Sequence, residues 1–182
     1  MPETQNHATA LVTGAALRLG RAIALDLAKL GWRIGVHYQT SSTEAERLVE
    51  EIERLGSKAV ALPADLTSEA QLRGLVQSCA EKLGPPTCLI NNAARFEWDS
   101  IETLDWGGWQ AELDVNLRAP IFLTQEFARA LPKDASGCVI NMIDQRVWRL
   151  TPEFFSYTIA KSALWTATRT LAQALAPRIR VN

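Results

Sequence analysis

The feature that most constrains the fold is a regular alternation between short apolar runs and longer stretches with helical spacing. Strand-like runs lie at residues 10–13, 33–38, 58–62, 88–91 and 138–142. Helical patterns follow at residues 43–56, 68–83, 106–131 and 156–176. Such alternation is typical of parallel strands joined by helical crossovers.

This pattern predicts one doubly wound α/β domain with a parallel, Rossmann-type sheet over residues 1–182. No repeat, linker or low-complexity tract divides the chain, and 182 residues are enough to bury a core. Residues 1–8, which include His7, are expected to form a disordered leader. Ligands of such sheets bind beyond the carboxyl ends of the strands, so the loops after each strand are the places to search for a site.

Composition argues against several classes of protein. With 21% charged residues and a net charge of −1, the chain lacks the bulk positive charge of a nucleic-acid binder. The start MPETQNHATA does not resemble a signal peptide, and no apolar run is long enough to span a membrane. Cys79, Cys88 and Cys138 are odd in number and lack CxxC spacing, which indicates buried thiols. We expect a cytoplasmic protein without a nucleic-acid, membrane or metal partner.

The segment TGAALRLG at residues 13–20 follows the first predicted strand and precedes a helical pattern. Its glycines are six residues apart, so it departs from the dinucleotide pattern G-x-G-x-x-G. Gly14 can make a tight turn and Gly20 can allow close packing of helix and strand. Backbone amides at the helix start, around Arg18 and Leu19, would face a pyrophosphate. An ordinary strand-to-helix turn is the alternative.

The loop after the second strand, HYQTSS, has no carboxylate for a ribose 2′-hydroxyl, which favours a cofactor with a 2′-phosphate. His37, Thr40 and Ser41 could donate to that phosphate, and Arg18 could reach it from the neighbouring loop. A solvated polar turn is the alternative. Asp65 and Leu66 follow the third strand, where they could hold an adenine or lead into the next helix.

Tyr157 and Lys161 are four residues apart and therefore share one face of a helix. A phenol has a pKa of about 10, and a nearby ammonium can lower that pKa by about 1 to 3 units, which would make Tyr157 a usable proton donor. A YxxxK pair alone often occurs by chance. Its occurrence with Asn91-Asn92-Ala93-Ala94, Asn116 and Asp144 makes the combination specific.

In this order, and over the whole chain, these motifs resemble those of the short-chain dehydrogenase/reductase family. The resemblance implies NADP(H) as the cofactor, contacted by Asn92 and Ala93 among the residues above, and a homo-oligomer, either a dimer or a tetramer. It further implies hydride transfer from the nicotinamide, with Tyr157 protonating the substrate. Lys161 would hold the ribose and lower the pKa of Tyr157, and Asn116 would support a relay water.

Two positions depart from the usual family pattern and resemble the pteridine reductases. Asp144 stands where the family usually has serine, and Arg18 stands where it has a small residue or glycine. In that subgroup the aspartate assists the tyrosine, the arginine reaches pyrophosphate and pterin, and a phenylalanine, here Phe96, stacks the pterin on the nicotinamide. The resemblance thus implies substrate contacts from Arg18, Phe96, Asp144 and Tyr157. Thr40 replaces an arginine of the subgroup, and Ala94 replaces a serine.

Several alternatives stay open at this level. Asp144 could cap a loop amide, Phe96 could be an ordinary pocket or core aromatic, and Trp148 and Arg149 could border the pocket or face solvent. Three further tryptophans are assigned to helix packing or a subunit contact: Trp106, Trp109 and Trp165.

The chain ends at Asn182, at a segment that resembles the family's sixth strand. Family members continue beyond it, so a C-terminally truncated form of the fold is expected. A generic NADP(H)-dependent carbonyl or 3-oxoacyl reductase is one alternative function. A nucleotide-binding module with little catalysis is the other.

Overall fold

The structure, a computed structural model, describes residues 8–182, so the predicted leader lies outside the described residues except for Ala8. Six parallel strands form one sheet in the order β3-β2-β1-β4-β5-β6. The strands are β1 (Thr9–Val12), β2 (Arg33–Tyr38), β3 (Ala59–Pro63), β4 (Cys88–Asn91), β5 (Gly137–Asn141) and β6 (Ile179–Val181). The order reverses between β1 and β4, which creates the crevice where doubly wound sheets bind ligands. The predicted fold class is confirmed.

Each predicted strand lies within one residue of its observed position, because the central strands are buried on both faces and carry continuous apolar runs. All four residues of β1, TALV, and all four of β4, CLIN, are buried. The helices are α1 (Arg18–Lys29), α2 (Ser42–Arg54), α3 (Glu69–Leu83), α4 (Trp106–Leu113), α5 (Ala119–Ala130) and α6 (Phe155–Leu175).

The core consists of two apolar layers, one on each face of the sheet. One layer packs α1 and α2 against the strands through residues such as Ala24, Leu48 and Ile52. The other packs α3, α5 and part of α6 through residues such as Val76 and Phe127. This arrangement leaves the carboxyl ends of the strands free to carry the loops that were singled out above.

The helix predicted over 106–131 is interrupted by a wider, π-helical turn at Asp114–Arg118, which contains Asn116. Pro120 explains the interruption, since it has no N–H to donate to the carbonyl of Asn116 four residues earlier. The amide of Ala119 donates instead to the carbonyl of Asp114. The turn places Asn116 in the interior, where it is 0% exposed.

Within the part of the chain that the structure describes, no helix has both the length and the apolar character needed to cross a membrane.

Candidate active site

A cleft of about 360 Å³ opens at the carboxyl ends of β1 to β4, within the usual size range of ligand pockets. Eleven of the residues predicted to bind a cofactor line this cleft: Gly14, Arg18, Leu19, Gly20, His37, Thr40, Ser41, Asp65, Leu66, Asn92 and Ala93. Tyr157 and Lys161 are not part of this lining and belong to the adjoining group described below.

Both glycines of the first loop have a steric reason to be glycine. Gly14 has a φ of +61°, in the left-handed region, and a Cβ there would lie 3.0 Å from Cα of Ala93. A Cβ at Gly20 would lie 2.6 Å from Nδ2 of Asn92 and would also collide with the carbonyl of Gly14. The loop after β1, the start of α1 and the loop after β4 are therefore packed against one another without room for side chains, which leaves backbone amides to line the cleft.

Thr13 joins the loops after β1 and β4, and sequence reasoning assigned it no role. Its hydroxyl accepts hydrogen bonds from the amides of Asn92 and Ala93, at 2.9 and 3.0 Å. The side-chain amide of Asn92 donates to the carbonyls of Thr13 and Gly14, at 2.8 and 3.1 Å. The sequence signal for this role was a threonine directly before Gly14, because a hydroxyl at the end of a strand can accept hydrogen bonds from backbone amides that have no partner in the sheet.

His37 lies at the cleft but is only 2% exposed, and both of its ring nitrogens are engaged. Nδ1 accepts from the amide of Gly14 at 3.0 Å, so Nε2 carries the proton that is donated to the carbonyl of Ala64 at 3.1 Å. Burial lowers the pKa of His37 to about 4, so the ring is neutral at pH 7. The expectation that His37 donates to a 2′-phosphate is wrong, and His37 instead holds the turn at Gly14.

At the end of the cleft beside β2, Thr40 is exposed and Ser41 is half-buried, with no carboxylate between residues 37 and 41. Asp65 is the acid in the lining, and its Oδ1 accepts from the amide and hydroxyl of Thr67 at 2.9 and 2.8 Å. These hydrogen bonds lower the pKa of Asp65 and keep it ionised. Asp65 thus both borders the cleft and leads into α3.

Asp144 and Tyr157 form a hydrogen-bonded pair. The Tyr157 hydroxyl donates to Oδ2 of Asp144 at 3.2 Å, while Oδ1 of Asp144 accepts from the amide of Arg146 at 2.8 Å. The carboxylate therefore has both of the roles considered from the sequence. It caps a loop amide, and it contacts the tyrosine. The cap fixes the short 3₁₀ turn at Gln145–Val147 and so orients the carboxylate.

Lys161 lies beneath this pair on α6 and is 3% exposed. Its Nζ donates to the carbonyl of Met142 at 2.9 Å and lies 5.7 Å from the centre of the Tyr157 ring. Burial lowers the pKa of Lys161 to about 8. In this structure the pKa of Tyr157 is raised, first by burial and then by the carboxylate of Asp144. The expectation that Lys161 lowers the pKa of Tyr157 is therefore corrected: the phenol is held firmly in its protonated form.

Asn116 is paired with a buried acid, Glu112, which sequence reasoning missed. Nδ2 of Asn116 donates to Oε2 of Glu112 at 2.6 Å and to the carbonyl of Arg95 at 2.9 Å. Glu112 is 2% exposed, and burial raises its pKa. The only sequence signal was its position four residues before Asn116, on the same face of a helix.

Phe96 is 49% exposed, so it is not a core aromatic. Its ring stacks in parallel on the ring of Phe154, with the two ring centres 4.1 Å apart. It packs edge-to-face with the ring of Tyr157, with the centres 4.7 Å apart. The guanidinium of Arg146 lies 5.5 and 4.8 Å from the centres of the Phe96 and Phe154 rings. Arg146, rather than Trp148 or Arg149, is thus the residue of its loop that reaches Phe96.

Trp148 is 66% exposed and lies outside the group around Tyr157 and Phe96. Its ring packs edge-to-face with that of Trp165, with the ring centres 5.7 Å apart. The thiols of Cys79 and Cys88 are buried, with the pKa of each raised to about 12 by burial. Within residues 8–182, no group of three or more His, Cys, Asp or Glu side chains is placed to hold a metal ion.

The fold and the site define a Rossmann-type oxidoreductase with a glycine-lined cleft beside a Tyr–Lys pair. The chain belongs to the short chain dehydrogenase family, whose pattern matches residues 8–182. The predicted class of enzyme and the predicted family are confirmed by this match.

Solved structures and curated relatives agree with that assignment. FolM alternative dihydrofolate reductase 1 from Brucella suis, in complex with NADP, is 47% identical, with a TM-score of 0.93 over 96% of this chain and 73% of that one. A short chain dehydrogenase from Burkholderia cenocepacia, also in complex with NADP, is 35% identical, with a TM-score of 0.92 over 96% and 71%. The 3-oxoacyl-[acyl-carrier-protein] reductase of Synechocystis is 32% identical over 95% of this chain and 70% of its own length. The predicted NADP(H) agrees with the two bound structures.

Proposed function

We propose that the protein is an NADPH-dependent reductase that acts on a pterin or a dihydrofolate-like substrate. The observation that carries this proposal is the hydrogen bond from Tyr157 to Asp144 beside the half-exposed ring of Phe96. A protonated phenol next to an aromatic surface suits the reduction of a flat, nitrogen-containing ring. The similarity to the alternative dihydrofolate reductase from Brucella suis supports the same substrate class.

The cleft fits a dinucleotide with a 2′-phosphate. Gly14 and Gly20 keep side chains out of the loop where the pyrophosphate would lie, close to the positive end of α1. Thr40, Ser41 and Arg18 would hold the 2′-phosphate, and Asp65 and Leu66 would border the adenine. When bound, NADPH supplies the hydride.

The residues of the chain supply and position the proton. Tyr157 gives its hydroxyl proton to the substrate, and Asp144 orients that hydroxyl. Lys161, fixed by the carbonyl of Met142, would hold a ribose hydroxyl of the bound cofactor. Asn116 supports a relay water through Oδ1, a buried acceptor for which residues 8–182 provide no partner. Arg18 and Phe96 contact the substrate ring.

A generic carbonyl or 3-oxoacyl reductase is the second candidate. The similarity to the Synechocystis 3-oxoacyl reductase favours it, and a Tyr–Lys pair can reduce a carbonyl without Asp144 or Phe96. A nucleotide-binding module with little catalysis is less well supported, since Tyr157 and Lys161 are buried together in the group beside the cleft and fixed by hydrogen bonds.

The test is NADPH oxidation by the purified protein with dihydropterins, dihydrofolate, simple ketones and a 3-oxoacyl thioester. We expect turnover with the first two classes. Good turnover of ketones or thioesters, with none of the pterins, would replace the proposal by the second candidate. Binding of NADPH without turnover of any substrate would favour the nucleotide-binding module.

Cofactor choice is tested separately by fluorescence titration. NADPH should bind more tightly than NADH, with a moderate preference because Thr40 replaces an arginine of the similar pteridine reductases. Thr40→Arg should increase the preference, and Thr40→Asp should reverse it because a carboxylate repels the 2′-phosphate. Equal affinities of the wild type for both cofactors would contradict the assignment.

The remaining predictions from the sequence stay predictions: one domain over residues 1–182, a cytoplasmic location, and a homo-oligomer, either a dimer or a homotetramer. The 84% exposure of Trp106 supports a subunit contact at α4.

A further inference from the structure

We propose that Glu112 is a positioning residue that clamps the segment carrying Phe96 to Asn116. The inference deepens the proposed function and rests on it, because Phe96 is taken there as the aromatic surface for the substrate. Glu112 itself does not reach the Tyr157 hydroxyl through any hydrogen bond in the described chain.

The clamp holds the backbone on both sides of Phe96. On one side the amide of Glu97 donates to Oε1 of Glu112 at 3.0 Å. On the other side the carbonyl of Arg95 accepts from Nδ2 of Asn116 at 2.9 Å. Nδ2 of Asn116 also donates to Oε2 of Glu112 at 2.6 Å, which closes the connection between the two sides. Phe96 therefore lies between two fixed points of the backbone.

The backbone of the segment depends on this clamp because it has few other hydrogen bonds. Residues 92–100 form neither helix nor strand. Between residues 94 and 98, the described backbone makes no backbone-to-backbone hydrogen bond. Phe96 itself is half-exposed, so apolar burial contributes only part of what fixes its ring. Without Glu112 the ring would keep its contacts with Phe154, Tyr157 and Arg146, but the backbone that carries it would be less well fixed.

Glu112 also determines how the Asn116 amide is oriented. Both neighbours of Nδ2, the carboxylate of Glu112 and the carbonyl of Arg95, are acceptors, so the NH₂ group must face them. The other atom of the amide, Oδ1 of Asn116, is then buried and has no hydrogen-bond partner within residues 8–182. This is the orientation that lets Asn116 accept from a relay water.

The burial of a carboxylate at this position argues for such a role. Glu112 is 2% exposed, and a buried carboxylate lowers stability unless hydrogen bonds and nearby charge compensate it. Its partners are the two N–H donors above and the Arg95 guanidinium, whose Nε lies 3.6 Å from Oε1. An apolar side chain would fill the same helical position at lower cost but would leave the Glu97 amide without a partner and Asn116 with only the carbonyl of Arg95.

The test compares Glu112→Ala and Glu112→Gln with the matched control Asp114→Asn. Asp114 is also buried and lies two residues away, but its carboxylate contacts Gln110 and Arg118, at 2.6 and 3.0 Å, and does not contact residues 95–97. The first measurement is amide hydrogen exchange of the Glu97 region without cofactor or substrate. The second is steady-state kinetics with dihydropterin and NADPH, together with NADPH titration.

Glu112→Ala removes the hydrogen bonds to the Glu97 amide and to Asn116 and leaves only the bond between Asn116 and the Arg95 carbonyl. Glu97 should therefore exchange about tenfold faster, KM for dihydropterin should rise about tenfold and kcat should fall. Glu112→Gln keeps one acceptor oxygen for Glu97 but directs an NH₂ group at Nδ2 of Asn116. It should therefore retain the Glu97 protection and the KM while kcat falls. The control should change none of these values, and no variant should change NADPH affinity more than about twofold.

Unchanged exchange at Glu97 in Glu112→Ala, or an equal effect of Asp114→Asn, would overturn the inference. The exchange measurement requires no substrate and so fails or succeeds apart from the proposed function. If the wild type reduces no dihydropterin while the exchange responds as expected, the clamp stands and only the proposed substrate class fails.

Discussion

The hydroxyl of Tyr157 lies 3.2 Å from Oδ2 of Asp144 and donates a hydrogen bond to it, at the point where α6 passes the loop after β5. Burial and this carboxylate both raise the pKa of Tyr157. The phenol is thus fully protonated at neutral pH, and its proton leaves only when the reacting substrate accepts it. Before transfer that proton points at Oδ2 of Asp144, and the hydroxyl must turn from the carboxylate to the substrate to give it up.

Replacement of Tyr157 by phenylalanine tests this arrangement with little change in volume. Tyr157→Phe removes the transferable proton, so turnover should fall by about 100-fold or more if general acid catalysis operates. NADPH affinity, measured by fluorescence titration, should be nearly unchanged because the cleft lies beside Tyr157 and is lined by other residues. Turnover close to that of the wild type would remove Tyr157 from the mechanism.

A second prediction concerns the close packing at Gly20. A Cβ there would lie 2.6 Å from Nδ2 of Asn92, so Gly20→Ala must separate the start of α1 from the loop after β4. We expect a loss of about 1 to 3 kcal/mol in the free energy of unfolding and severe weakening of NADPH binding. Gly74→Ala is the matched control. A Cβ at Gly74 meets nothing within 4 Å, and this helical position should gain about 0.5 to 1 kcal/mol. Normal NADPH binding by Gly20→Ala would contradict the packing argument.

His37 gives a prediction about acid stability. Its pKa is lowered from 6.5 to about 4 in the folded chain. Between pH 6.5 and 4 the unfolded chain therefore binds a proton that the folded chain does not, so stability falls as the pH falls through this window. The part due to His37 is on the order of 3 kcal/mol at pH 4. Denaturant unfolding at pH 7, 5.5 and 4 should show this loss in the wild type, and His37→Asn should show a smaller one. Equal pH dependence of the two proteins would show that His37 does not titrate as proposed.

The sequence predicted the sheet and the Tyr–Lys pair because each depends on local spacing, whereas Asn92 and Ala93 were expected at the cleft only through the resemblance to a known family. Strand periodicity and the helical distance from Tyr157 to Lys161 survive folding unchanged. The role of His37 was predicted wrongly because its burial depends on the approach of Gly14 and Ala64, 23 and 27 residues away in the chain. A polar residue at a strand end looks the same in sequence whether it faces a ligand or the interior.

Glu112 and Arg146 were missed for a related physical reason. A charged residue in an amphipathic helix normally faces solvent, whereas Glu112 is buried in the folded chain and hydrogen-bonded to the amide of Glu97. Arg146 reaches Phe96 because the 3₁₀ turn, fixed by Asp144, bends its loop toward Phe154. The pKa of Tyr157 likewise depends on burial and on Asp144, which spacing to Lys161 alone does not report.

The last prediction concerns Arg18, which opens α1 with a φ of +51° and an exposed side chain. A non-glycine residue in this left-handed region costs about 1 to 2 kcal/mol, so an arginine here lowers stability relative to glycine. Its guanidinium can hold phosphate oxygens with one edge and reach a pterin with its remaining donors. Arg18→Gly should therefore make the protein more stable and a poorer pterin reductase.

For Arg18→Gly we expect a gain of about 1 kcal/mol in the free energy of unfolding. Loss of a charged hydrogen bond of about 1.5 to 3 kcal/mol should lower kcat/KM for dihydropterin by about 10-fold or more, with a smaller effect on NADPH affinity. Arg18→Asn is the matched control, since asparagine tolerates this backbone conformation but has no guanidinium, and it should lose activity to a similar extent. Phe96→Ala should impair the same substrates. Wild-type dihydropterin kinetics in both Arg18→Gly and Phe96→Ala would end the pterin assignment, whereas a fall in stability of Arg18→Gly would contradict the backbone argument alone.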